Sequence, residues 1–185
     1  MTIDYGRMPK GGFAKLVAEL LVEDLSESLY FWREALGFEI AYQRPEQKFV
    51  YLERPEGAQI MLCERSGRWE TGPMEKPYGR GVMFQIYLSS IDPIIGRLHD
   101  LRVPIYAGPR EVWRRYGDRE GGKREVIVLD PNGYLIMLAE DLGERPSNTR
   151  ELLTDRDRSG VLDESETKCS SWAIVGLSSF AGDPT

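Results

Sequence analysis

Residues 49–64 read FVYLERPEGAQIMLCE, and residues 125–140 read EVIVLDPNGYLIMLAE. Laid over each other without a gap, at an offset of 76, they match at Pro55/Pro131, Gly57/Gly133, Ile60/Ile136, Met61/Met137, Leu62/Leu138 and Glu64/Glu140. Each reads as a strand, a Pro-x-Gly turn and a second strand. Proline presets φ on entering the turn, and glycine supplies the positive φ that closes it. The chain therefore holds one β-hairpin twice, and internal repetition organises its fold.

Working outward, each hairpin follows a strand and a helix. Leu16 to Val22 (LVAELLV) is strand-like, and Asp24-Leu25-Ser26-Glu27 has capping-box spacing. Leu25, Leu29, Trp32 and Leu36 then fall on one helical stripe, which Gly37 ends. In the second half Val82 to Leu88 (VMFQIYL) is the strand, and Asp92-Pro93 places an N-cap before a proline. Ile94, Ile95, Leu98 and Leu101 form its stripe. The first strands are offset by about 66 (Val22 against Leu88) and the hairpins by 76. The second half thus carries a loop about ten residues longer, between Ala107 and Lys123. The fold class is α+β, two βαβββ modules at about 12–66 and 80–142 in a domain spanning 12–145.

Composition narrows the chemistry. The chain has 185 residues, a formal net charge of −6 and 41% hydrophobic residues, as expected of an ordinary globular protein. His99 is the sole histidine, with Cys63 and Cys169 the two cysteines. That excludes a metal site built on several histidines, and a disulfide framework. No 18-residue apolar run exists to span a membrane, and the first fifteen residues lack a signal-peptide core, which points to the cytoplasm. The acidic balance argues against a nucleic-acid partner, the Arg114-Arg115 pair notwithstanding.

Two modules with Val22-Glu23-Asp24-Leu25, Ser28, Phe31-Trp32, Leu36-Gly37-Phe38 and the turn Asp130-Pro131-Asn132-Gly133-Tyr134 resemble the vicinal oxygen chelate superfamily. It embraces glyoxalase I, extradiol dioxygenases and bleomycin resistance proteins. The resemblance implies curved mixed sheets around a cavity, with metal ligands on the first and last strand of each module. Those stations fall here on Val17, Met61, Met83 and Met137. None offers a donor for a hard divalent cation. The chain thus most resembles the bleomycin-resistance branch, which implies non-enzymatic sequestration of a bleomycin-type antibiotic, no cofactor in the core and a homodimer. The alternative is a lyase, isomerase or dioxygenase of the same fold with a non-standard or absent metal site.

Strand alternation then names the inner wall. With Val17 go Glu19 and Leu21; with Met61 go Gln59 and Cys63; Met83, Gln85, Tyr87, Leu135 and Met137 complete it. The ligand-binding candidates are Glu19, Met61, Gln85, Tyr87 and Met137 on the wall, with Trp69, Trp113 and Tyr116 on loops above. A soft apolar wall with sparse polar groups suits an aromatic, possibly cationic small molecule. The same residues also serve as plain core, and Glu19 equally fits a salt bridge across a dimer. His99 reads as a surface residue beside the second helix's stripe, and Cys63 as a small buried hydrophobe.

Residues 146–185 form an acidic, serine-rich tail whose composition predicts disorder. Within it, residues 155–166 resemble an EF-hand loop, with Asp155, Asp157, Ser159, the Val161 carbonyl, Asp163 and Glu166 as candidate calcium ligands. The flanks supply neither the usual apolar residues nor a second loop.

Overall fold

The computed structural model describes residues 4–147. The first module runs β1 (Ala18–Val22), α1 (Leu25–Tyr30), β2 (Glu39–Arg44), β3 (Phe49–Glu53) and β4 (Gln59–Glu64). The second runs β5 (Met83–Leu88), α2 (Asp92–Asp100), β6 (Ile105–Tyr116), β7 (Arg119–Leu129) and β8 (Leu135–Pro146). Each builds a four-stranded mixed sheet, ordered β1-β4-β3-β2 and β5-β8-β7-β6. The β1–β4 and β5–β8 pairs are parallel and the other pairs antiparallel. The repeated βαβββ order is therefore the architecture. No described helix is long and apolar enough to cross a membrane.

The repeated glutamates have a structural task. The Leu25 N–H at the start of α1 donates to Glu64 at the end of β4 (3.3 Å), and the Ile91 N–H before α2 donates to Glu140 of β8 (3.1 Å). Each carboxylate satisfies an orphan donor at its own module's helix start. Asp24 also caps α1 by accepting the Glu27 N–H at 2.9 Å.

Three local expectations are corrected. The stripe over Leu25, Leu29, Trp32 and Leu36 assumed an unbroken α-helix. Instead, Phe31–Ala35 is a π-helical turn, and the Leu36 N–H reaches back to the Phe31 carbonyl at 3.2 Å. The extra residue shifts the buried face to Ser28, Phe31, Trp32, Ala35 and Leu36, leaving Leu25 and Leu29 half-buried. Asp92 is not a cap: Ile91 holds that position, and Asp92 pairs with Arg124 at 2.7 Å. The added length between Ala107 and Lys123 is no loop. It extends β6 and β7 into a ribbon closed by the turn at Gly117 and Asp118, so Trp113 and Tyr116 lie on a strand.

One core unites the modules: Trp32, Leu36, Leu52 and Leu62 pack in the same buried cluster as Ile91, Leu98, Ile136 and Leu138. The second hairpin's turn fastens it. Asn132, in that turn, accepts the Glu23 N–H beyond β1 at 2.9 Å. Glu56, its counterpart at the offset of 76, pairs instead with its own neighbour Arg54 at 3.1 Å. Asn132 is buried, donates to Ser28 Oγ at 2.9 Å, and accepts the Tyr78 N–H on its carbonyl at 2.8 Å. Replacing Asn132 by Ala strands the Glu23 N–H and takes the donor from buried Ser28 Oγ, and is expected to cost about 2–3 kcal/mol in urea unfolding. Glu56→Ala, at a more exposed turn, costs less; equal costs would contradict this asymmetry.

Candidate functional site

On the first sheet, residues opposite the helix-packed face are Val17, Glu19 and Leu21, then Gln59, Met61 and Cys63, as alternation requires. Most of this face is occupied from within. Tyr42 and Tyr51 stack with centroids 4.9 Å apart, and the Phe13 ring meets Tyr51 edge-on at 5.7 Å. Gln59 ties down the N-terminal segment: it accepts the Ala14 N–H (2.8 Å) and the Tyr51 hydroxyl (2.6 Å), and donates to the Gly12 carbonyl (2.7 Å). Glu53, 5% exposed, is clasped by Arg7 at 2.7 Å and the Lys10 N–H at 2.8 Å. Met61 lies half-buried against this cluster.

Glu19 is exposed, and among the described residues no cation pairs with it. With Leu21, Trp69, Met74 and Tyr134 it lines a recess of about 350 Å³. Trp69 is 65% exposed and stands at φ +64°, a left-handed backbone costly for a bulky residue. The Arg65–Glu70 ion pair (3.0 Å) and the Gly67 N–H on Glu70 (3.1 Å) close the turn that presents it. The Arg68 guanidinium lies 4.6 Å from the centroid of its ring.

The second sheet's corresponding face differs. The expected wall was apolar with sparse polar groups; at its centre stands a glutamate that sequence reading passed over. Glu125 is 0% exposed. Arg110 donates to its Oε1 from Nε (3.0 Å) and Nη2 (2.8 Å). Lys123 Nζ and Arg114 Nη1 stand 3.5 and 3.7 Å from Oε2, which accepts no hydrogen bond. Burial pushes the carboxyl pKa up, but the Arg110 hydrogen bonds and the charges of Lys123, Arg110 and Arg114 outweigh it and hold the pKa below the usual range. The repeat held the signal, for Glu125 occupies the place of Phe49, which faces the same side of its own sheet.

Of the remaining candidates, Gln85 is exposed and accepts from Lys123 Nζ at 3.1 Å, and Met137, 4% exposed, offers its sulfur to the same ammonium at 3.5 Å. Tyr87 and Tyr116 line one recess on this face. Trp113 points the other way, packed over Gly122 with Arg145 at 4.0 Å from its ring. The candidates therefore split into Glu19, Met61 and Trp69 on the first sheet and Gln85, Tyr87, Tyr116 and Met137 on the second, with Trp113 outside both groups. His99 is exposed on α2. Cys63 is half-buried, and burial pushes its thiol pKa up, which opposes a nucleophilic role. The candidate calcium loop lies outside the described residues.

The sequence matches the model of the Glyoxalase/Bleomycin resistance protein/Dioxygenase superfamily over residues 16–138. The chain belongs to this superfamily. Similar solved structures include a virulence protein from Salmonella typhimurium (22% identity, 76% of this chain and 98% of that one, TM-score 0.50). An integron cassette protein from the mobile metagenome of V. Cholerae (19%, 76% and 97%, TM-score 0.50) is also similar. A protein of unknown function from Agrobacterium tumefaciens gives 21%, 71% and 96%, with a TM-score of 0.52. At these identities the likeness is one of fold. No curated protein matches the sequence.

Superfamily membership raises the question of metal. Of the four stations that the resemblance assigns, Val17 and Met61 pack with Phe49 and Tyr51, Met137 is buried beside Lys123, and Met83 is 44% exposed. These side chains do not fit a hard cation. Among the described residues, no three His, Cys, Asp or Glu side chains gather to share an ion elsewhere.

Glu125 yields a pH signature. Its lowered native pKa means that its stabilisation is present above the ordinary glutamate range and lost as pH falls through the native value. Glu125→Gln is expected to cost about 2 kcal/mol at pH 7. In urea unfolding the gap to wild type should narrow as pH falls below the ordinary glutamate range; a constant gap would contradict the ion-pair reading.

Proposed function

We propose that the chain is a non-enzymatic binding member of the superfamily, holding an aromatic, cationic small molecule of the bleomycin type without converting it. The observation that carries this reading is the donor set: valine and three methionines stand where the fold's enzymes are expected to keep their metal ligands. A lyase, isomerase or dioxygenase would need donors elsewhere, and the described residues bring no such group together.

The recess of Glu19 and Trp69 supplies complementary chemistry. A presented indole stacks a planar ring, and an unpaired carboxylate beside it attracts a cationic tail. Its volume of about 350 Å³ lies at the small end of ligand pockets, enough for one ring system with the remainder in solvent.

A bleomycin-type glycopeptide at a hundred times its Kd should stabilise the full chain by about 2.7 kcal/mol, read as a rise in Tm of roughly 5–10 °C. Trp69→Ala and Glu19→Gln should each weaken binding about tenfold, as measured by calorimetry. One zinc, nickel or iron per purified chain that survives deletion of residues 147–185 would overturn the reading.

A further inference from the structure

The open face of the second sheet carries a second recess, of about 350 Å³, whose chemistry is opposite in sign. Tyr87, 55% exposed on β5, and Tyr116 at the end of β6 line it together with Arg114 and Lys123. Gly121 of β7 lines it too. A Cβ built there would come within 3.0 Å of the Tyr116 ring, so the ring rests on bare backbone. The ribbon makes this arrangement possible: alternation along β6 puts Arg110, Arg114 and Tyr116 on one face and Trp113 on the other.

Of the cations, Arg114 and Lys123 line the recess, and with Arg110 they converge on one carboxylate, that of Glu125. Two acids, Asp141 and Glu144, line the recess as well: Glu144 pairs with Arg119 at 2.6 Å and lies beside Tyr116, and Asp141 accepts the Gly143 N–H at 2.9 Å. Arg114 and Lys123 stand too far from Glu125 Oε2 to donate to it. An incoming anion therefore gains guanidinium and ammonium donors without breaking a hydrogen bond from either to Glu125. Glu125 is a positioning residue, anchoring Arg110 and drawing the other two cations to the floor.

The geometry points to a binding site for a small aromatic carboxylate, with its anionic group on Arg114 and Lys123 and its flat ring against Tyr87 and Tyr116. The assignment stands apart from the reading of the Glu19–Trp69 recess, which calls for a cation.

Calorimetry on the full chain with 2-naphthoate, and with 2-naphthylmethylammonium as the cationic congener, tests it. The acid should bind at least ten times more tightly than the amine, and weaken as salt rises. Arg114→Ala and Tyr87→Ala, both exposed and checked for folding by circular dichroism, should each weaken naphthoate at least fivefold. Glu19→Gln should leave it unchanged, which separates this site from the other recess. No binding of naphthoate at millimolar concentration, equal binding of acid and amine, or an Arg114→Ala variant that binds as wild type would overturn the assignment.

Discussion

One buried side chain, Asn132 in the turn of the second hairpin, latches the modules to each other by taking the Glu23 N–H of the first. The equivalent position of the first turn, Glu56, pairs with its own neighbour Arg54, so the latch is one-sided. Around Asn132 the latch is buried and extended, for Tyr134 also donates its hydroxyl to the Leu21 carbonyl at 3.1 Å. That contact brings a second-module ring beside β1 and builds one wall of the recess holding Glu19 and Trp69. Without the latch this recess loses that wall.

Given equivalent backbones, the modules differ in what covers their open faces. The first face is filled by its own aromatics and by the N-terminal segment, with Gln59 and Glu53 tying that segment down. The second face has its charged group at the place of Phe49. A buried carboxylate is tolerated there because three cations stand within 4 Å, each contributing an attraction that water would otherwise screen. The longer ribbon brings two of those cations, Arg110 and Arg114. Insertion and burial thus belong together: the added strand length makes the glutamate affordable.

Sequence reading reached the architecture because its signals are local. Pro-x-Gly turns, the Asp24 cap and the strand alternation each depend on neighbours a few residues away. The π-helical turn at Phe31–Ala35 was not legible, since one extra residue per turn leaves no signature in a short apolar stripe. The ribbon read as a loop because its charged and aromatic residues lack clean binary alternation. The N-terminal segment, with Gly6, Gly11 and Gly12, carries no periodic signal, and only its partners on the sheet give it a place. Glu125 sat inside a strand already explained by its hydrophobic neighbours; its meaning appears once Arg110, Arg114 and Lys123 are in space around it. The sequence named candidate residues one by one, and their division between two faces was not legible in it.

The proposed binding needs side chains alone, because Val17, Met61, Met83 and Met137 stand at the stations where the resemblance assigns metal donors. The direct measurement is ligand affinity by calorimetry after exhaustive dialysis against EDTA, repeated with equimolar zinc, nickel, manganese or ferrous iron added. One affinity, unchanged by any of the ions, is the expected result. An affinity that appears, or tightens tenfold or more, only when one of these metals is restored would contradict it.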